Sequence, residues 1–160
     1  MALAAAMIVF ACLYLYLLRD VGLSTDEWTW LLYLVHPTHG TLYSGPNVDF
    51  LSTVTFPYNN QPIVVEVLLY RLWADVFGVA HHWVPRVFLL WLHLTAVGLV
   101  FVLARRRVVE SAALAVAVLV LIMGRAWETL LFPGSMTFVL PMVAACVAWT
   151  VLDDPADRRG

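Results

Sequence analysis

The chain has 160 residues, of which 62% are apolar and only 12% charged, about half the usual charged share, and its mean hydropathy is +0.85. That composition excludes disorder, and it leaves too little polar surface to cover a water-soluble globule of this size, so lipid is expected to supply part of the solvent. The net charge of -2, with no lysine at all, offers no basic face to neutralise phosphates, and nucleic-acid binding is not expected.

In chain order, the first expected element is an uncleaved membrane anchor over residues 2–18, free of charge and closed by Arg19 and Asp20. No basic residue precedes this run and no small-x-small cleavage site follows it directly, which separates it from a secretory signal. Cys12 in this run and Cys146 near the other end sit among apolar residues as small hydrophobes, with no metal or disulfide spacing.

A loop over residues 19–82 comes next, and connections of about sixty residues are functional elements more often than mere links. Within it, Ser24-Thr25-Asp26-Glu27 reads as a capping box, predicting a short interfacial helix over 24–35 that carries Trp28, Trp30 and Tyr33 at headgroup depth and stops at Pro37. The following stretch, rich in Gly, Pro, Asn, Ser and Thr, is expected to be irregular apart from a short extended piece at 51–56. Residues 63–80 predict a second interfacial helix, with Arg71 and Asp75 as an i,i+4 pair.

Three further spans are expected over 83–103, 108–123 and 132–152, the first two forming a tight hairpin with Arg105, Arg106 and Arg107 at its turn. The fourth contains Pro141, which a helical bundle accommodates. The expected fold is therefore an all-α integral membrane protein of about four transmembrane helices, with a long outer loop carrying two interfacial helices. Short basic loops stay cytoplasmic, and the density of the triple arginine places the hairpin turn and both chain termini inside and the long loop outside.

Several residues bear on chemistry. The carboxylates Asp26 and Glu27 just outside the first span have two readings: a general base facing a substrate that arrives from the lipid, or acids favouring a helix N-terminus. Arg86 and Arg125, near outer span ends, suit a lipid phosphate, or else snorkel to the interface. Glu128 stands three residues from Arg125 and can pair with it. The H-x-x-H of His36 and His39 straddles Pro37 and the His81-His82 doublet lacks a metal-site pattern, so loop or interfacial roles are favoured over a metal centre. His93 inside the second span is read as a neutral imidazole hydrogen-bonded within the bundle, ahead of a functional group; a haem would need a facing histidine on another span, and none is present.

The order of these features resembles the N-terminal part of the C-class glycosyltransferases that use polyprenyl-phosphate sugars, the superfamily of protein O-mannosyltransferases and bacterial arabinosyl- and mannosyltransferases. A short first span is followed by the acid pair Asp26-Glu27, a long outer loop, the polar stretch Asn59-Asn60-Gln61-Pro62 before an apolar helix, an inner arginine hairpin and Trp127-Glu128 after the third span. The resemblance covers nearly the whole chain and is one of arrangement. It implies that Asp26 is the catalytic base or, in some branches, a divalent-metal ligand, with Glu27 as the second acid. It implies that Asn60 and Gln61 line the substrate-binding turn, where many bacterial members carry Asn-Glu-His-Arg; the acid, histidine and arginine of that turn are replaced here. Glu128 matches the acid of a Trp-Glu outer turn.

The partners so implied are the bilayer, a polyprenyl-phosphate-linked sugar, and the remaining spans of a longer chain or a partner subunit, since such enzymes have more than twice as many spans. No haem or nucleotide cofactor is expected. A non-catalytic membrane scaffold or subunit is the alternative from another class; a transporter fragment is a third, opposed by the lack of charge within spans one and four. If the orientation is right, a thiol reagent unable to cross membranes will modify a cysteine placed at Ser44 and leave one placed at Arg106 unlabelled.

Overall fold

A computed structural model of the chain describes residues 1–22, 57–58, 61–62, 64–122 and 135–153. The helix expected at 24–35, the extended piece at 51–56 and the loop around 124–131 lie outside the described residues. Within them the protein is all-α apart from one small strand pair. The helices are α1 (Ala2–Leu18), α2 (Val64–Phe77), α3 (Trp83–Arg105), α4 (Glu110–Ile122) and α5 (Met136–Leu152).

Helix α3 is the central element, packed against all four others. Among the described residues it alone is long and apolar enough to cross a membrane, by length and composition; α1, α4 and residues 138–152 of α5 are shorter apolar helices. It extends two residues beyond the expected 103, through Arg105, and Val108 N–H closes the turn on the Ala104 carbonyl at 2.9 Å. Helix α4 then begins at Glu110, two residues later than expected, with that acid in its first turn where the helix dipole favours it. The thirteen described residues of α4 rise about 20 Å.

Contacts at the helix ends fix the directions. The residues after α1 meet the first turn of α3, and the last turn of α5 meets the turn after α3. Helices α1 and α4 therefore run opposite to α3, and α5 runs alongside it in the same sense. Two apolar layers are stacked along α3. The first joins Tyr14 and Leu18 of α1 to Leu89, Leu90 and Leu92 of α3 and to Met136 and Val139 of α5. The second joins Val97 of α3 to Ala117 and Leu121 of α4, flanked by Leu3, Ala6, Met7 and Phe10 of α1. Ala117 is fully buried, so the α3–α4 approach is set by the small size of its side chain. The outer flanks remain apolar: Ile8, Val9, Leu13 and Leu17 of α1, Val87, Trp91 and Val102 of α3, and Val116 and Leu119 of α4 are exposed.

Helix α2 packs beside the start of α3 and against α5. It stops at Phe77, three residues before the expected end, because Gly78 takes φ 75 and its N–H returns to the Ala74 carbonyl at 3.1 Å, a left-handed cap that glycine adopts without a Cβ penalty. Its inner face buries Val67, Tyr70 and Trp73, with the last two rings edge to face at 5.6 Å. The Trp73 indole N–H donates to the His81 carbonyl at 3.0 Å and ties the linker to the helix. On the opposite face Val65, Leu68, Leu72 and Val76 are exposed, and the Arg71–Asp75 pair forms at 2.8 Å along the flank. Just before α2, Pro57–Tyr58 pairs antiparallel with Gln61–Pro62, Tyr58 opposite Gln61.

Replacing Ala117 by Leu forces three extra carbons into the α3–α4 contact and is expected to destabilise the bundle by about 1–3 kcal/mol, read as a lowered midpoint in thermal unfolding of the purified protein in detergent.

Candidate functional site

Chemistry-bearing side chains lie at the two ends of α3 and at its middle. At its first turn, Arg86 is 2% exposed although it carries a permanent charge. Its Nη1 donates to the Val21 carbonyl at 3.0 Å and its Nη2 to the Gly22 carbonyl at 2.7 Å. These carbonyls follow the end of α1, where helical N–H donors run out, and a guanidinium fork matches two adjacent oxygens. Charge-assisted bonds of this kind contribute about 1.5–3 kcal/mol.

Halfway along α3, His93 is 1% exposed. Its Nε2–H donates to the Leu121 carbonyl of α4, at 3.1 Å, and its ring lies 5.8 Å from that of Phe10. This is the hydrogen-bonded bundle histidine expected from the sequence.

Beyond the last turn of α3, Arg106 Nη1 donates to the carbonyls of Thr150 at 3.3 Å and Asp153 at 3.1 Å. Arg107 Nη2 meets Asp153 Oδ1 at 3.2 Å, and its guanidinium lies 5.7 Å from the centre of the Trp149 ring. Two cations thus face the carboxylate and the negative end of α5, the arrangement a helix dipole favours. Arg105 turns back over Phe101, 5.4 Å from the ring centre.

Of the residues singled out from the sequence, Asp26, Glu27, Asn60, Arg125 and Glu128, with His36 and His39, lie outside the described residues. Gln61 is in the second of the paired strands, immediately before α2. Arg86 is brought against the start of the segment that leads to Asp26. His81 is exposed and its Nδ1–H donates to the Phe77 carbonyl, while His82 precedes α3 as its cap residue. No group of three His, Cys, Asp or Glu side chains suited to a metal occurs among the described residues. Both cysteines are free thiols.

The arginine contacts to the residues after α1 and to the end of α5, and the Arg107–Asp153 pair, are contacts that the sequence reading missed. The only signal available was the placement of Asp153 and the arginine run at neighbouring span ends.

Comparison with protein-family models, with curated proteins and with solved structures found no match for this chain.

Replacing His93 by Leu leaves the Leu121 carbonyl without its donor in a buried setting and is expected to lower stability by about 1–3 kcal/mol. His93→Gln, whose amide presents an N–H at similar reach, is expected to recover part of that loss in the same thermal measurement.

Proposed function

We propose that this chain is an integral membrane protein of about four spans and works as a glycosyltransferase, or the N-terminal part of one, that moves a sugar from a polyprenyl phosphate to an acceptor on the extracytoplasmic side. The carrying observation is the spacing of charge along α3. Arg86 and Arg106 are 20 positions apart, a rise of about 30 Å, the thickness of a bilayer's hydrocarbon layer. Between residues 87 and 104 His93 is the single ionisable side chain, and the helix reaches a mean hydropathy of 2.4 while only 33% of that window is buried. A helix this apolar and this uncovered is suited to lipid on its free sides.

In this reading α1, α3, α4 and α5 belong to the four spans, with the arginine turn and both termini cytoplasmic and residues 19–82 outside in the plasma membrane. Helix α2 lies at the outer interface, its exposed Val65, Leu68, Leu72 and Val76 toward lipid and the Arg71–Asp75 pair at headgroup level. The transferase assignment is supported by the order of elements along the sequence and by an acid pair that begins four residues beyond Gly22, whose carbonyl accepts from Arg86.

The chemistry assigned to it is displacement at the anomeric carbon. The Asp26 carboxylate takes the proton of an acceptor hydroxyl, the acceptor oxygen bonds to the anomeric carbon, and the bond from that carbon to the phosphate oxygen breaks with its electron pair leaving on polyprenyl phosphate. Arg86 being engaged with backbone carbonyls, Arg125 is the residue assigned to offset the leaving phosphate, with Glu128 beside it in sequence. Glu27, Asn60 and Gln61 are assigned to the acceptor or the sugar.

Asp26→Asn keeps size and loses the base, so transfer from a polyprenyl-phosphate sugar in membranes is expected to fall by about a hundredfold or more. Undiminished turnover in that variant would remove the mechanism.

A further inference from the structure

We infer that the arginine end of α3 holds anionic phospholipid headgroups, with Arg105 and Arg107 as the residues that meet the lipid phosphates. The inference rests on the membrane reading of the chain and is independent of the transferase assignment.

Charge is matched differently at the two ends of the bundle. Where α3 begins, each arginine among the described residues has a partner supplied by the chain. Arg19 meets the Asp20 carboxylate at 2.9 Å, Arg71 meets that of Asp75 at 2.8 Å, and Arg86 donates to the Val21 and Gly22 carbonyls. At the other end three consecutive arginines meet one carboxylate, that of Asp153, 3.8 Å from Arg106 and 3.2 Å from Arg107. Glu110, in the first turn of α4, pairs with none of them among the described residues. Arg106 is further engaged with the Thr150 and Asp153 carbonyls. Arg105 is exposed, and the one contact of its guanidinium among the described residues is the Phe101 ring, 5.4 Å away. A ring face answers the charge and leaves the N–H donors of the fork for an acceptor.

Position, surroundings and chemistry all favour a phospholipid as that acceptor. Arg105 closes the helix that is long and apolar enough to cross a membrane, so in the membrane reading its guanidinium comes at phosphate depth. Trp149, Val151 and Leu152, at the same end on α5, are exposed, and the Arg107 guanidinium lies 5.7 Å from the centre of the Trp149 ring. Cations beside exposed aromatic and apolar side chains match a headgroup next to its acyl chains, whereas inorganic phosphate would use the charge alone. The chain has no lysine, so all its side-chain cations that stay charged at every pH are guanidinium forks, which pair with two phosphate oxygens at once. In the proposed orientation this end faces the cytoplasmic leaflet, where attraction to anionic lipid is worth about fivefold in affinity per arginine.

The test uses the whole chain in phosphatidylcholine vesicles that carry a trace of spin-labelled lipid. The parent protein is expected to immobilise spin-labelled phosphatidylglycerol about threefold or more in preference to spin-labelled phosphatidylcholine at about 0.1 M salt, and less at about 1 M, where screening shortens to about 3 Å. Arg105→Gln is expected to lower that preference by about half, and Arg105→Gln combined with Arg107→Gln to bring it near parity. Arg105→Lys keeps the charge and loses the fork, and is expected to fall between the parent and Arg105→Gln. The Arg105 guanidinium bonds to no other helix among the described residues, so Arg105→Gln is expected to keep the thermal midpoint of the parent. Arg19→Gln removes the same charge at the opposite end and is expected to leave the preference unchanged. A preference that persists in the double variant, or that falls as far in Arg19→Gln, overturns the inference and leaves the membrane reading standing. Failure of the parent chain to enter phosphatidylcholine vesicles overturns the membrane reading and takes the inference with it.

Discussion

A helix ends with carbonyl groups that have no donor in their own chain segment, and away from water each of them is costly. This bundle meets that constraint from one element. Helix α3 and its cap residue supply a donor to main-chain carbonyls of three neighbours: Arg86 to the residues following α1, His93 to Leu121 of α4, and Arg106 to the end of α5. The three donors are spread from one end of α3 to the other, at its start, its middle and just past its end. Apolar contacts hold the helices together laterally, whereas these polar contacts fix how far each has slid along α3. A register set in this way is specific, since a shift of one residue along the axis, about 1.5 Å, would separate the paired atoms.

Much of the frame was legible in the sequence because hydrophobic run length is a direct physical signal. The first helix falls on the expected 2–18, and the hairpin of α3 and α4 turns at the triple arginine. The Arg71–Asp75 pair could be read from i,i+4 spacing. Boundaries were less legible where a backbone conformation decides them. Gly78 ends α2 by adopting positive φ, and nothing in the apolar pattern around it marks that position over Ala80. The expected spans at 108–123 and 132–152 appear as helices of thirteen and seventeen residues within the described range.

The candidate site was legible in a different measure. A sequence displays side chains, so Asp26, Arg86 and His93 could be singled out for their chemistry. It does not display which main-chain oxygens a side chain meets, and all three of the α3 donors bind main-chain oxygen. That is why Arg86 read as a phosphate ligand or a snorkelling arginine, and why the contact of Arg106 with the end of α5 had no counterpart in the pattern. His93 could be read because a histidine amid apolar residues needs a polar partner wherever it sits, even when the partner is unnamed.

In the proposed membrane setting, the spacing of Arg86 and Arg106 along α3 would make that helix a gauge of thickness. In a membrane, helices usually answer a mismatch with the surrounding lipid by tilting or by letting long cationic side chains reach for the surface. Arg86 and Arg106 have little freedom to reach, because Arg86 is committed to carbonyls just after α1 and Arg106 to carbonyls at the end of α5. A thinner or thicker lipid environment would therefore strain the joints between helices rather than a single side chain, and the molecule would feel the change as a whole.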